Sequence, residues 1–282
     1  MNLAVIIPAA GFSTRYQQAA SEAGVDPTAT RSKLDEDLGG RPVLQRTVEL
    51  FANHPAVNLI VVAGPHDEAA FGEFKLKYGD KLGLMGVKLT RGGETHRYET
   101  VAAALALVPD SATHVAVHDG ARPCTPADLL DRVLEAAERH PAVVPALDVS
   151  DTLKRVGEPI DETDADPLAA ILGAPAARKG PRPVTSTVDR AGLVAVQTPQ
   201  IFTRELLKRA YAQSDLTSTD DAQLVERLGE RVVVVPGDAQ PQDHPSGRSS
   251  SGADGAQHAR LGPEAGSQTV LNQSPRVNPR SA

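Results

Sequence analysis

The chain has 282 residues, a formal net charge of −7 and a single cysteine, Cys124. Its length suits one large α/β domain or two small ones. One cysteine excludes an internal disulfide and a cysteine-cluster metal site and fits a reducing compartment such as the cytoplasm. The acidic balance argues against a general nucleic-acid binder, and no apolar run approaches the roughly 18 residues of a membrane span.

Short apolar runs alternate with helical patterns along the first half of the chain. Strands are predicted at 3–8, 58–64, 87–92, 114–120 and 142–149, and helices at 42–53, near 67–76, at 99–108 and at 125–140. Thr125 is the predicted N-cap of the last of these helices. This alternation predicts an α/β fold with a mostly parallel sheet and helices on both faces. Ligands of such sheets bind beyond the carboxyl ends of the strands, which directs attention to loops 8–33, 92–100 and 118–125.

The second half of the chain departs from this rhythm twice. Residues 150–190 are rich in Pro, Ala and Asp and predict an arm that leaves the sheet. Regular patterning returns with 193–202, helices at 203–213 and 219–228, and a strand at 232–236. Residues 240–282 contain no aromatic residue and few large aliphatic ones, so this tail is predicted to be disordered beyond a 1–239 domain.

The turn after the first strand reads PAAGFSTR, residues 8–15. Small residues at a strand end let backbone N–H groups approach a phosphate or a base, and Arg15 adds positive charge. The turn is neither a Walker loop nor a dinucleotide fingerprint, and a plain tight turn is an equal alternative. Lys33 stands where the chain enters the next helix, where a solvated surface lysine is the simpler interpretation.

The fourth strand ends in VHDGARP, residues 117–123. Asp119 at this point can hold Mg²⁺ against a triphosphate, Gly120 allows close approach, and Arg122 can pair with phosphate. A capping aspartate is the alternative. His118 is interpreted as a packing or hydrogen-bonding residue. Five further segments are weak signals singly: GGETHRYET, DTLKR, TVDR, TPQ and TDDAQL, the last readable as a helix start capped by Thr219.

In this order the segments resemble the 2-C-methyl-D-erythritol 4-phosphate cytidylyltransferase family of the non-mevalonate isoprenoid pathway, over about residues 3–239. The resemblance implies a Rossmann-like nucleotidyltransferase domain, dimerisation through the arm, and transfer of CMP from CTP with Mg²⁺ and release of pyrophosphate. The partners it implies are CTP, a small sugar-alcohol phosphate and a second copy of the chain, with neither nucleic acid nor membrane.

The resemblance also implies roles for individual residues. Arg15 and Lys33 would bind the triphosphate and stabilise charge, Arg190 would act in catalysis and substrate binding, and Asp119 would hold Mg²⁺. The implied CTP site comprises Pro8, Ala9, Ala10, Gly11, Gly93, Thr100 and Gly120. The implied sugar-phosphate site comprises Arg122, Thr152, Arg190, Thr198 and Thr219, some of them acting across the dimer.

The chain departs from the family most strongly at its C-terminus. The family continues with a D-N-x-K-[IV]-T segment and a helix that opens P-E-D-L, and its lysine contacts the CTP phosphates. Residues 240–249 read QPQDHPSGRS instead. Codons exist for these ten residues that, read one nucleotide later, encode Asn-Leu-Lys-Ile-Thr-His-Pro-Glu-Asp-Leu. We therefore interpret the tail as the product of a frameshift near codon 239 or 240.

Three alternatives stay open at this level. A ribitol 5-phosphate cytidylyltransferase has similar motifs and would differ in acceptor preference. A homologue that binds CTP without turnover would follow from the missing lysine segment. A guanylyl- or uridylyltransferase of the same fold agrees less well with VHDGARP, TVDR and TPQ together.

Overall fold

The structure is a computed structural model that describes residues 1–10, 32–160 and 180–239. Its helices and strands alternate through most of this range, as the sequence predicts. In chain order they are β1 (Leu3–Pro8), a 3-10 turn (Lys33–Asp35), α1 (Val43–Ala52), β2 (Val57–Gly64), α2 (Glu68–Gly83), β3 (Lys88–Arg91), α3 (Arg97–Leu105), β4 (His114–Val117), α4 (Ala127–Ala137), β5 (Ala142–Asp148), β6 (Leu153–Val156), β7 (Val184–Val188), β8 (Val194–Val196), β9 (Gln200–Thr203), α5 (Arg204–Tyr211), α6 (Asp221–Arg227) and β10 (Val233–Pro236).

The main sheet is mostly parallel, which confirms the predicted fold class. Its strand order is β10-β5-β9-β4-β1-β2-β3, and β8 pairs with β5 beside this path. Strand β1 is parallel to β2 and β4, β2 to β3, and β10 to β5. Strand β9 runs antiparallel to both β4 and β5, and β8 runs antiparallel to β5. Because β1 and β4 are parallel neighbours, their carboxyl ends lie side by side at the same end of the sheet.

Helices cover both faces of the sheet, as predicted. The side chains of β1 accordingly alternate between two hydrophobic cores, one on each face. Leu3, Val5 and Ile7 pack into one cluster with residues of α1, α2 and α4. Ala4 and Ile6 pack into a second cluster with residues of α3, α5 and α6. All five side chains are fully buried, as a central strand between two helical layers requires. Strand β1 thus fixes the position of the loop that follows it.

Two predicted helix caps are wrong, each by one residue. Pro126, not Thr125, is the N-cap of α4, and the Thr125 hydroxyl donates to the Arg122 carbonyl instead. Asp220, not Thr219, caps α6 and accepts from a backbone N–H in its first turn. Pro126 makes no side-chain capping hydrogen bond, whereas the Asp220 carboxylate does. Helix α2 is also longer than the predicted 67–76, since it continues to Gly83.

The predicted arm begins and ends as a ribbon with its own two-stranded sheet, β6 paired antiparallel with β7. Leu153 pairs with Val188, and the Lys154 ammonium donates to the Thr187 hydroxyl at 2.7 Å. The predicted tail 240–282 and the middle of the arm, 161–179, lie outside the described residues. Among the helices that the structure describes, none has the length and apolar character needed to cross a membrane.

Candidate active site

The loop after β1 approaches the turn after β3 closely. The Ala9 N–H donates to the Ala63 carbonyl at 2.7 Å, which extends the β1–β2 pairing past Pro8. A Cβ placed on Gly92 would lie 2.7 Å from the Ala10 Cβ and 2.7 Å from the Gly64 carbonyl oxygen. Only glycine fits there, so the absence of a side chain at 92 is what allows the two loops to meet.

The next residue of this turn is fixed by the first turn of α3. The Gly93 N–H donates to the buried Thr100 hydroxyl at 3.1 Å. Glu99 accepts from the Thr95 and His96 N–H groups at 2.9 and 3.1 Å, and these bonds lower the pKa of its carboxyl. Two residues of the implied CTP site, Gly93 and Thr100, are therefore in direct contact.

Substitution of Gly93 by alanine is expected to destabilise this turn. The added Cβ would lie 2.1 Å from the Glu99 Cβ, so Glu99 and its bonds to the turn must shift. We expect a loss of about 1–3 kcal/mol in the free energy of unfolding, measured by urea denaturation, as for other overpacked sites. Gly79→Ala is the matched control: nothing lies within 4 Å of its Cβ in α2, and helix propensity predicts a gain of about 0.5–1 kcal/mol. Equal effects at the two glycines would contradict the assignment.

The loop after β4 packs against the other side of β1. A Cβ on Gly120 would lie 3.3 Å from the Pro8 carbonyl oxygen and 3.3 Å from the Leu34 side chain. The Asp119 N–H donates to the hydroxyl of the buried Thr198 at 3.4 Å. The structure thus brings four of the predicted site residues together at the carboxyl ends of β1 and β4: Pro8, Asp119, Gly120 and Thr198.

Asp119 lies between two arginines, one of which the sequence analysis missed. Its Oδ1 is 3.3 Å from Arg97 Nη2, and its Oδ2 is 3.3 Å from Arg122 Nε. Arg97 also donates from Nη1 to the buried Asp221 at 2.8 Å, and the Tyr211 hydroxyl donates to the same carboxylate. Burial opposes the charge of Arg97, but the two carboxylates outweigh it and raise its pKa. Burial and then the charge of Asp221 raise the pKa of Tyr211.

His118 is a packed residue, as predicted. Its ring lies edge-on to Phe51 with centroids 5.0 Å apart, and its Nε2 is 3.1 Å from the Arg122 carbonyl oxygen. Because a carbonyl only accepts, Nε2 carries the proton, and Nδ1 has no hydrogen-bond partner in the described ranges. Burial lowers the pKa of His118 to about 4, so the ring is neutral at pH 7.

Acid is expected to destabilise the fold through this histidine. The unfolded chain binds the proton with a pKa of about 6.5 and the folded chain with one of about 4. Stability from the neutral ring is complete above pH 6.5 and falls as the pH drops to about 4, by about 3 kcal/mol. In His118→Gln this part of the dependence of unfolding free energy on pH, measured by urea titration, should disappear. His140 is exposed, so His140→Gln should retain it. Burial also lowers the pKa of His114, so a smaller slope remains in the variant.

Lys33 begins a short turn that packs beside this site. The Ser32 hydroxyl accepts from the Leu34 N–H at 3.3 Å, and Leu34 is buried against Gly120. From α2, the Tyr78 hydroxyl donates to the Leu34 carbonyl at 3.1 Å and also contacts the Asp35 carboxylate. Helix α2 therefore fixes the turn that carries Lys33.

Other predicted site residues are not gathered by the described contacts. Arg190 and Thr152 are exposed at the base of the ribbon, where Arg190 donates to the Ser150 carbonyl. Thr219 is exposed and its N–H donates to Gln223 at 2.8 Å, two residues before the buried Asp221. Gly11 and Arg15 lie outside the described residues. The roles implied for these residues stay predictions.

Comparison with known proteins decides the family. A family model described as 2-C-methyl-D-erythritol 4-phosphate cytidylyltransferase matches residues 3–241. The chain belongs to this family. A cytidylyltransferase of that name from Streptomyces avermitilis is 41% identical over 235 residues, which cover 83% of each protein. One from Rhodococcus jostii is 38% identical over 234 residues, covering 83% of this chain and 85% of the relative.

Solved structures of cytidylyltransferases have the same fold as this chain and are related to it in sequence. The crystal structure of 2-C-methyl-D-erythritol 4-phosphate cytidylyltransferase from Thermus thermophilus superposes with a TM-score of 0.57 at 32% identity, covering 87% of this chain and 94% of that one. A crystal structure of 4-diphosphocytidyl-2C-methyl-D-erythritol synthase gives a TM-score of 0.59 at 28% identity, covering 86% and 91%. The resemblance drawn from the motifs is thereby confirmed, and the chain is a member of an enzyme family of nucleotidyltransferases.

Proposed function

We propose that this chain transfers the CMP group of CTP to 2-C-methyl-D-erythritol 4-phosphate and releases pyrophosphate. The observation that carries the proposal is the gathering of Pro8, Asp119, Gly120 and Thr198 at the carboxyl ends of β1 and β4. This is where parallel α/β sheets bind ligands. Relatives about 40% identical carry the name of this activity. Their names specify the methylerythritol acceptor and not ribitol 5-phosphate, so the ribitol alternative is not favoured.

The proposed reaction requires the protein to position its two substrates and to neutralise negative charge on the phosphates. It requires no general base. A phosphate oxygen of the acceptor attacks the α-phosphorus of CTP, and the bond to the β-phosphate breaks as pyrophosphate leaves. The second pKa of a phosphate monoester is about 6, so the nucleophile is already anionic at neutral pH. Lys33, Arg15 and Arg122 would hold phosphates and neutralise charge that grows in the transition state. The glycines at 92, 93 and 120 let the loops that would line the nucleotide site pack closely against their neighbours.

The side chains present fit a divalent cation that arrives with the nucleotide. No group of three or more His, Cys, Asp or Glu able to hold a metal occurs within residues 1–10, 32–160 and 180–239. Mg²⁺ commonly binds through one or two carboxylates plus substrate phosphates and needs no protein cage. Asp119, with a third of its side chain exposed beside β1, fits this use. When bound, Mg²⁺ would neutralise triphosphate charge.

Pyrophosphate release by the purified 282-residue chain tests the proposal. The assay contains CTP, Mg²⁺ and either 2-C-methyl-D-erythritol 4-phosphate or ribitol 5-phosphate. We expect release with the methylerythritol acceptor and little with ribitol phosphate. Release with ribitol phosphate alone would overturn the acceptor, and release without any acceptor would indicate a hydrolase. No release by this chain or by a variant with the restored tail frame would overturn the activity itself.

We also propose that the enzyme works in the cytoplasm as a homodimer joined through its arm. The ribbon and strand β8 expose apolar side chains, whose contact with water is unfavourable unless another surface covers them. They are Val156, Ile160, Val184, Val194 and Val196. Val184 is the most exposed of these, at 60%. Val184→Asp is therefore expected to shift sedimentation toward the monomer, while an unchanged dimer, or a wild-type monomer, would contradict the proposed interface.

A further inference from the structure

A buried carboxylate on α6 contacts the candidate site through an arginine. The side chain of Asp221 is 1% exposed. Its Oδ1 accepts from the Tyr211 hydroxyl at 2.5 Å and its Oδ2 from Arg97 Nη1 at 2.8 Å. A buried charge persists where partners satisfy it, and here both oxygens have one. The role implied for this segment by the family resemblance concerns Thr219 alone, which leaves Asp221 without a function.

The position of Asp221 is fixed relative to the site. The side chain of Gln200 donates to the Asp220 carboxylate at 2.9 Å and accepts from the Ala222 N–H at 3.1 Å. Gln200 begins β9 and pairs with Val117, the last residue of β4. Strand β9, which pairs with the strand before Asp119, therefore holds the start of α6 and fixes the position of Asp221 relative to Asp119.

Arg97 is shared unequally between these two acids. Its contact with Asp221 is the shorter one, 2.8 Å against 3.3 Å to Asp119. Asp119 also has Arg122 at 3.3 Å, so two guanidinium groups already compete for one carboxylate. An arginine whose charge is satisfied elsewhere is a weaker competitor for that carboxylate. Loss of the Asp221 charge would let Arg97 close on Asp119 with both of its Nη groups.

We propose that Asp221 is a positioning residue that holds Arg97 back from Asp119 and so keeps the Asp119 carboxylate available to the divalent cation carried by CTP. The inference rests on the proposed function, because it takes Asp119 as the group that meets the cation. Asp221 acts through Arg97 and need not touch nucleotide or acceptor. Tyr211 contributes by fixing the orientation of the Asp221 carboxylate.

The test measures the affinity of the enzyme for the Mn²⁺ complex of CTP, by the enhancement of water-proton relaxation that occurs when this complex binds the protein. Asp221→Asn removes the charge and retains an oxygen for the Tyr211 hydroxyl. We expect it to weaken Mn²⁺ binding about 10- to 100-fold, the range seen when groups behind a metal ligand are lost. Affinity for CTP without metal should change much less. Asp220→Asn removes the neighbouring charge, keeps a good N-cap and does not contact Arg97, so it should bind Mn²⁺ like the wild type.

A second substitution separates positioning from damage to the fold. If Arg97 is what blocks Asp119 in the variant, its removal should relieve the block. The double variant Arg97→Gln/Asp221→Asn is therefore expected to bind Mn²⁺ within about 3-fold of the wild type, a strongly non-additive result. A merely structural role predicts that the double variant is weaker than Asp221→Asn. Thermal melts establish that each variant is folded at the temperature of the measurement.

The outcomes distinguish the inference from the function beneath it. Weak binding by Asp221→Asn with recovery in the double variant supports the inference. Wild-type binding by Asp221→Asn, or no recovery in the double variant, overturns it while leaving the proposed function intact. A wild-type chain that binds neither CTP nor Mn²⁺ with CTP overturns both.

Discussion

Replacement of Asp119 by asparagine is expected to lower kcat/KM for pyrophosphate release about 10²–10³-fold, the loss typical of one group that stabilises transition-state charge. Asp119 lies in the loop after β4, where its carboxylate contacts Arg97 and Arg122 and where the next residue, Gly120, packs against the Pro8 carbonyl. An amide of the same size keeps the packing but is a poor partner for a cation and for Arg97 and Arg122. Steady-state assays over a range of Mg²⁺ concentrations give the measurement.

Asp128→Asn is the matched control for this experiment. Asp128 lies on α4 with 70% of its side chain exposed and pairs with Arg132 at 3.0 Å. Loss of such a surface pair changes stability by less than about 1 kcal/mol and should leave turnover at the wild-type level. An Asp119→Asn enzyme with wild-type turnover, or an equal loss in both variants, would contradict the role given to Asp119.

Restoration of the shifted reading frame is expected to raise turnover about 10²–10³-fold. The variant carries Asn-Leu-Lys-Ile-Thr-His-Pro-Glu-Asp-Leu at 240–249, which adds the lysine that the family resemblance places on the CTP phosphates. One charge-assisted contact formed with the transition state contributes about 2.7–4 kcal/mol, which sets the size of the effect. The end of the family match at residue 241 supports this point of departure.

The control keeps the restored segment but has methionine in place of its lysine. We expect this control to fall back toward the activity of the 282-residue chain, because it retains the length of the side chain and loses its charge. Equal turnover by the original and restored chains would contradict the account of the tail. The gene sequence is an independent check, since synonymous codons other than those required at 240–249 would exclude a frameshift origin.

Local sequence patterns predicted the elements well because the sheet is built from strands buried on both faces. Strand β1 coincides with the predicted 3–8, and β4 and β5 begin at their predicted residues, 114 and 142. Continuous apolar runs bounded by turn residues have few other structures open to them. Helix ends were less predictable, as the caps at Pro126 and Asp220 show. At α6 both Thr219 and Asp220 carry an oxygen that can accept from the first-turn N–H groups, and at α4 the N-cap Pro126 makes no side-chain bond.

The polar network around Arg97 could not be predicted from local pattern. Arg97 and Asp221 are 124 residues apart in the chain, and an acid in the first turn of a helix, such as Asp221, is common. Asp221 looks like an ordinary first-turn acid until the fold buries it beneath Tyr211. The VHDGARP segment pointed to Asp119 and Gly120, and the order of the motifs pointed to the family, but the contacts of Arg97 could be seen only in the folded structure.

The most direct test of the central claim is the fate of an oxygen label in the acceptor phosphate. 2-C-Methyl-D-erythritol 4-phosphate with ¹⁸O in its phosphate group is incubated with CTP, Mg²⁺ and the chain, and the products are analysed by ³¹P NMR and mass spectrometry. If the acceptor phosphate attacks the α-phosphorus, the product is a diphosphate that joins cytidine to methylerythritol. Its bridging oxygen between the two phosphorus atoms carries ¹⁸O, and the pyrophosphate is unlabelled. Label in the pyrophosphate, or CMP formed without a diphosphate product, would contradict the account.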